Sequence, residues 1–241
     1  KTGIDLPGEA TGGVFTNDTM HAVELATSSF GQGQTVTMIQ MAAAFSSVIN
    51  GGNYYEPHVV KEVKSENGAV LESNDNALVR RVITENTSKK LRNYLYKTVE
   101  EGTALPAKVA GYQIGGKTGT AEKHPTGRGN YLVSFIGFAT KDNPEVMIYV
   151  TIDEPHVADQ AHSTYATQFS SEVLKEVLPV LGMYQDSSTK KADKTKASDI
   201  KLPSTKEAPD GGYSDGTYSV AGDQTDGTDT ANTASPVPSA E

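Results

Sequence analysis

The stretch from Tyr112 to Ile152 reads YQIGGKTGTAEKHPTGRGNYLVSFIGFATKDNPEVMIYVTI. It holds three segments suited to β-strands, about Tyr112 to Ala121, Tyr131 to Ala139 and Val146 to Ile152, each bounded by Gly, Pro, Asn or Asp. A short turn at Asp142-Asn143-Pro144 makes the second and third antiparallel neighbours. Beyond them, Thr164 to Leu178 predicts a helix with Tyr165, Phe169, Val173, Leu174, Val177 and Leu178 on one side. Upstream, Thr84 to Glu101 carries Leu91, Leu95 and Val99 at helical spacing and stops at Gly102. Further upstream, Val59, Val60 and Val63 lead through Ser65-Glu66-Asn67-Gly68 to Val70 and Leu71, the pattern of a hairpin closed at Asn-Gly. Thr37 and Gln40 stand in capping-box spacing before Met38, Ile39, Met41, Ala42, Phe45, Val48 and Ile49, and Asn50-Gly51-Gly52 ends that run. Being apolar on most sides, this helix is expected to be buried. The whole predicts an α+β fold, an antiparallel sheet packed by helices.

Composition narrows the classes of function. The 241 residues include 21 Lys and Arg against 30 Asp and Glu, a formal net charge of −9, which argues against a general nucleic-acid binder. There is no Cys, so disulfides and thiolate metal sites are excluded. No run approaches the roughly 18 to 20 apolar residues that span a bilayer, and no cleavable signal opens the chain. A Gly-rich stretch from Gly3 to Gly13 directly after Lys1 reads as the middle of something larger. From Gln185 onward Ser, Thr, Asp, Lys, Gly, Ala and Pro dominate; six Lys fall between Lys190 and Lys206, and every charged residue from Glu207 on is acidic. Such a segment buries too little apolar area to offset its ordering entropy, so residues 185–241 are expected to be a disordered tail after a folded region 1–184.

The residues that carry chemistry run from Gly115 to Lys123. Lys117 offers a fixed positive charge and a proton-relay partner, and Thr118 and Thr120 offer hydroxyls for a carboxylate. The Thr120 N–H can point at a developing oxyanion, and Gly116 and Gly119 leave room for another backbone or a ligand. The plainer alternative is a Gly-interrupted edge strand with a solvated Lys. Elsewhere, His156, Asp159 and His162 have a spacing that could hold a metal, but Pro155 and the lack of a fourth ligand favour a solvated loop. Gly31-Gln32-Gly33-Gln34-Thr35 lacks the ending of a phosphate loop. Glu122, Lys123, His124 and Arg128 read as a solvated strand end. No metal and no cofactor is expected.

Lys-Thr-Gly is also the third element of a serine acyl-enzyme set that includes Ser-x-x-Lys and Ser-x-Asn. It does not stand alone. Gly3-Ile4-Asp5-Leu6-Pro7-Gly8-Glu9, Ser29-Phe30-Gly31-Gln32-Gly33, Asn50-Gly51-Gly52, Glu101-Gly102-Thr103-Ala104, Gly116 to Lys123, and Ser134-Phe135-Ile136-Gly137-Phe138-Ala139 follow one another in order. With these pieces, residues 1–184 resemble the C-terminal part of the transpeptidase domain of class B penicillin-binding proteins, of the division or sporulation type. The resemblance implies part of a fold shared with serine β-lactamases, whose sheet has five strands, three of them in this chain. It implies a peptidoglycan D,D-transpeptidase at the extracytoplasmic face of the bacterial membrane, held by an N-terminal anchor that this sequence does not include. Its partners would be stem peptides ending in D-Ala-D-Ala, β-lactams, and division or elongation machinery. Lys117 and Thr120 would be catalytic, and Thr118, Thr120, Gly119 and Gly116 would bind substrate.

The nucleophilic Ser-x-x-Lys and the Ser-x-Asn element precede Gly3 in that family and are not in this sequence. Ser187 to Lys190, Ser188 to Lys191 and Ser198 to Lys201 fit the first pattern only within the tail, Ser65-Glu66-Asn67 fits the second only in a hairpin turn, and Lys1-Thr2-Gly3 opens a Gly-rich loop. A nucleophile and its base need a rigid mutual geometry that a flexible tail lacks. The chain alone is therefore expected to be inactive. Two alternatives stay open: a D,D-carboxypeptidase or β-lactamase of the same fold, and a non-catalytic penicillin-binding or sensor module.

Overall fold

The computed structural model describes residues 1–74 and 78–185. In chain order the elements are α1 (Ala22–Ser28), α2 (Met38–Ile49), β1 (Asn53–Tyr54), β2 (Glu62–Lys64), β3 (Val70–Ser73), β4 (Arg80–Arg81), α3 (Glu85–Glu100), a single 3-10 turn at Leu105–Ala107, β5 (Ile114–Glu122), β6 (Tyr131–Ala139), β7 (Val146–Asp153) and α4 (Thr164–Val180). This is the α+β arrangement that the sequence predicts. The expected tail, with its three Ser-x-x-Lys look-alikes, lies outside the described residues apart from Gln185.

The central sheet has the order β5-β6-β7, antiparallel throughout. Residues paired across strands share a face, so Val133, Phe135 and Ala139 of β6 lie on the same side as Val146, Ile148, Val150 and Ile152 of β7. On that side Phe135 and Ala139, with the four β7 residues packed against them, form the main core with Ala166, Leu174 and Leu178 of α4, and with Val99, Val109, Tyr112 and Ile114. The opposite face meets α2, where the Phe45 and Phe138 rings stand 6.3 Å apart and Thr151 Oγ1 reaches the Met38 sulfur at 3.6 Å.

Helix ends form as their residues dictate. Thr37 Oγ1 accepts from the Gln40 N–H at 3.2 Å while Gln40 Oε1 accepts from the Thr37 N–H at 2.9 Å, a reciprocal capping box. At the other end of α2, the Ser88 hydroxyl of α3 donates to Val48 O at 2.6 Å and Arg92 Nη1 donates to Ile49 O at 2.8 Å, so α3 supplies partners for the last carbonyls. A Cβ on Gly52, which has φ +93°, would fall 2.0 Å from Ile83 O, which explains a glycine there.

Two expectations about burial need correction. In α2 only Ser47 and Ile49 are buried, because among the described residues the helix is covered by β1, α3 and β7 on part of its circumference only. In α4 the buried face is Ala166, Thr167, Ser170, Ser171, Leu174 and Leu178, while Phe169 and Val177 are exposed. The hydroxyls bury because they are satisfied: Ser170 Oγ donates to Ala166 O at 2.7 Å, and Ser171 Oγ donates to Lys108 O at 3.0 Å.

Candidate active site

Gly115 and Gly116 carry β5 close to its neighbours. A Cβ on Gly115 would lie 2.5 Å from Phe138 Cζ, and one on Gly116 would lie 2.4 Å from Phe135 Cζ. Phe135 and Phe138 are both fully buried, so these rings occupy the room that two side chains would need. The sequence reading gave Gly116 to a ligand; in the structure the space over it belongs to Phe135. Gly119 faces Ser134, whose Oγ would be 2.4 Å from an added Cβ.

Beyond the glycines the strand emerges from cover: Lys117 and Thr120 are exposed, and Thr118 and Gly119 half-buried. Alternation sends Thr118 and Thr120 to one side and Lys117 to the other. β5 has β6 on one side only in the sheet, and Lys117 Nζ bends back along the strand to donate to Thr118 O at 2.7 Å. A carbonyl that accepts there points away from β6. In an antiparallel strand the N–H and C=O of a residue project to the same side and repeat every second residue, so the Thr118 and Thr120 N–H groups also face that edge. By this alternation the strand presents the Thr118 and Thr120 N–H groups along its free edge, close to the Lys117 ammonium that reaches Thr118 O.

Two further contacts complete the surroundings. Thr103, in the turn after α3, brings its Oγ1 within 3.3 Å of Thr118 Oγ1. The sequence reading counted Thr103 only as part of a motif, and fifteen residues of separation gave no signal that it touches the Lys-Thr-Gly strand. At the far end of β5, Lys123 Nζ pairs with Glu154 Oε1 at 2.6 Å and Asp153 Oδ1 at 2.9 Å, which ties β5 to the end of β7. Its hydrogen bonds to the Glu154 and then the Asp153 carboxylate hold the Lys123 ammonium above its usual pKa. Lys123 is therefore paired rather than simply solvated.

The remaining candidates do not join this edge. His162 Nε2 and Asp159 Oδ2 lie 2.9 Å apart in the loop before α4, and among the described residues no three His, Asp or Glu side chains could hold a metal ion. Ser65-Glu66-Asn67 forms the turn between β2 and β3, where the Gly68 N–H donates to Ser65 O at 2.9 Å. Asp5, from the Gly-Ile-Asp-Leu-Pro piece, accepts from the Val59 and Val60 N–H groups, both at 2.8 Å. Those two amides, Val59 first, hold its carboxyl below the usual range. Glu9 closes the same loop by accepting from Thr2 Oγ1 at 2.6 Å. Asp5 and Glu9 thus fasten one segment of the chain to another.

The family model of the penicillin binding protein transpeptidase domain matches residues 1–177. The chain belongs to the penicillin-binding-protein transpeptidase family. It is of the class B kind, as the ordered motifs imply. It is 42% identical over 187 residues to stage V sporulation protein D of Bacillus subtilis, covering 76% of this chain and 29% of that protein. It is 32% identical to the probable peptidoglycan D,D-transpeptidase PenA of Neisseria flavescens, covering 83% of this chain and 47% of that one. Among solved structures it is similar to penicillin binding protein 3 of Mycobacterium tuberculosis complexed with ampicillin, with a TM-score of 0.69 at 28% identity over 78% of this chain and 44% of that one. The chain thus spans less than half the length of these relatives.

Proposed function

We propose that this chain supplies the Lys-Thr-Gly side of a serine D,D-transpeptidase site that cross-links peptidoglycan outside the cytoplasmic membrane. The observation that supports the reading is a Lys-Thr-Gly-Thr strand, Lys117 to Thr120, that emerges from cover on β5 in a chain of this family. In the complete domain a serine upstream of Gly3 attacks the penultimate D-Ala carbonyl of a stem peptide. The C–N bond breaks, D-Ala leaves with a proton on its amine, and an amine of a second stem resolves the ester. Fixed donors aimed at developing charge favour that transition state, and the Thr120 N–H is suited to be one of them. Lys117 supplies positive charge near the serine's proton path, and the Thr118 and Thr120 hydroxyls hold the substrate's terminal carboxylate. β-Lactams carry an equivalent carboxylate beside a strained amide and acylate the same serine; the relative solved with ampicillin supports this ligand class.

Covalent labelling with a fluorescent penicillin tests the reading. The polypeptide that contains this chain together with the upstream part of its domain is expected to form an adduct that survives denaturation. The isolated chain is expected to form none, because the nucleophile of a covalent route cannot be replaced by binding groups. A labelled isolated chain whose adduct maps to Ser187, Ser188 or Ser198 would overturn the assignment.

A further inference from the structure

The Thr103–Thr118 contact lies outside the core, between an exposed and a half-buried side chain. Thr103 is exposed, while its neighbour Ala104 is fully buried and its N–H donates to Thr98 O at 3.1 Å. The turn is anchored from the other side by Gly102, where a Cβ would lie 2.8 Å from Thr98 O, and by the Leu105 N–H donating to Gly102 O at 3.2 Å. A buried alanine and a close-fitting glycine therefore hold Thr103 in place, and its hydroxyl is left to reach 3.3 Å across to Thr118 Oγ1.

We infer that Thr103 is a positioning residue for the carboxylate site, acting through Thr118; this rests on the reading of Thr118 given above. A threonine hydroxyl has one proton and can rotate it. When the Thr103 O–H donates to Thr118 Oγ1, the Thr118 proton is turned away from Thr103 and becomes available to an anionic ligand. The two O–H groups then run in series, and each polarises the next. An anion is the ligand that gains from such a chain, because hydrogen bonds to a charged acceptor are about twice as strong as neutral ones. Thr103 thus extends the site from the strand to the end of α3, and it favours a substrate ending in a free carboxylate over an amidated one.

The test is a double-mutant cycle in the longer polypeptide that carries the whole domain, reading binding and acylation of a fluorescent penicillin separately. Thr103→Val is expected to weaken the pre-covalent binding constant about three- to tenfold, with little change in the acylation step and an unchanged thermal midpoint. Thr103→Ser is expected to restore binding. In a Thr118→Val background the same Thr103→Val change is expected to have no effect, because the partner it acts on is gone. An equal loss in both backgrounds, or no loss in either, overturns the inference. Should Thr103→Val not fold, Thr103→Ala is read against Thr103→Ser in the same cycle. A wild-type polypeptide that takes no label, or one that Lys117→Ala leaves unchanged, would instead overturn the proposed function and is distinct from either outcome.

Discussion

At Lys117 the two readings of the sequence, a solvated lysine on an edge strand or a charge for catalysis, predict different things. The side chain is exposed, and its one described contact is the carbonyl of the next residue. Its removal therefore costs the fold little, whereas loss of a fixed donor at a reaction centre typically lowers the rate about 10²- to 10³-fold. In the complete domain, Lys117→Ala is expected to slow penicillin acylation by that order while keeping the wild-type melting temperature. Near-wild-type acylation would make Lys117 a surface charge, and unfolding would make it a structural residue. Lys117, Thr118 and Thr120 were legible in the sequence because four adjacent residues of one strand need no tertiary information to be brought together. Thr103 was not, since its approach to Thr118 depends on how α3 packs against β5. The reason for Gly116 was hidden likewise: no local pattern reveals that the ring filling its place comes from Phe135 of the adjacent strand.

At the scale of elements, hydrophobic periodicity located α2, α3, α4 and the three central strands but not α1, and it failed where polar side chains find internal partners. The face of α4 shows why. Ser170 and Ser171 lie in the core because each hydroxyl reaches a carbonyl, and the small side chains let the helix sit close to its neighbours, while Phe169 is left outside. The β1–β4 pairing of Asn53–Tyr54 with Arg80–Arg81 has too few residues for any period to register. Within β5, Gly116→Ala is expected to lower stability of the complete domain by about 1 to 3 kcal/mol, because Phe135 is enclosed and cannot move aside. Thermal or chemical unfolding measures this, and an unchanged midpoint would mean that the sheet relaxes freely around the methyl group.

A second element-scale expectation concerns pH. Asp5 ties the N-terminal loop to Val59 and Val60 as a carboxylate, and its folded-state pKa is lowered. A lowered value means that the charged form favours the folded state. That contribution is complete above the unfolded aspartate pKa of about 3.9, and it disappears as the pH falls below this through the folded value. The Val59 and Val60 amides are therefore expected to be protected from hydrogen exchange at neutral pH and to lose protection in acid. In Asp5→Asn the protection at neutral pH should already be weaker, and the difference from wild type should narrow below about pH 3.9. Equal protection in both proteins at neutral pH would show that the segment is held by something other than Asp5.

Taken whole, the described residues form a core around α4 and one face of the sheet, while the N-terminal elements are sparsely covered. No residue of α1 is buried, and Val23, Leu25 and Phe30 are 69%, 63% and 70% exposed. Among the described residues β7 has β6 as its one strand neighbour, so its outer backbone groups form an open edge. Open edges and apolar patches both promote association. A domain is stable by only about 5 to 15 kcal/mol, and each large apolar side chain left in water forgoes roughly 1.5 to 3 kcal/mol of that. The chain expressed by itself is therefore expected to be loosely packed and to associate as its concentration rises, seen as dye binding to exposed apolar surface and as growth of the scattering mass. Addition of the upstream part of the domain, in the same polypeptide or as a separate one, should reverse both. The reversal is the discriminating half of the experiment, because association alone has many causes, whereas dispersal by the complementary part points to surfaces that this part covers, such as the exposed N-terminal side chains and the β7 edge. A monomeric chain with a sharp, cooperative melt would show instead that the α4 core is sufficient and that the exposed N-terminal side chains cost it little.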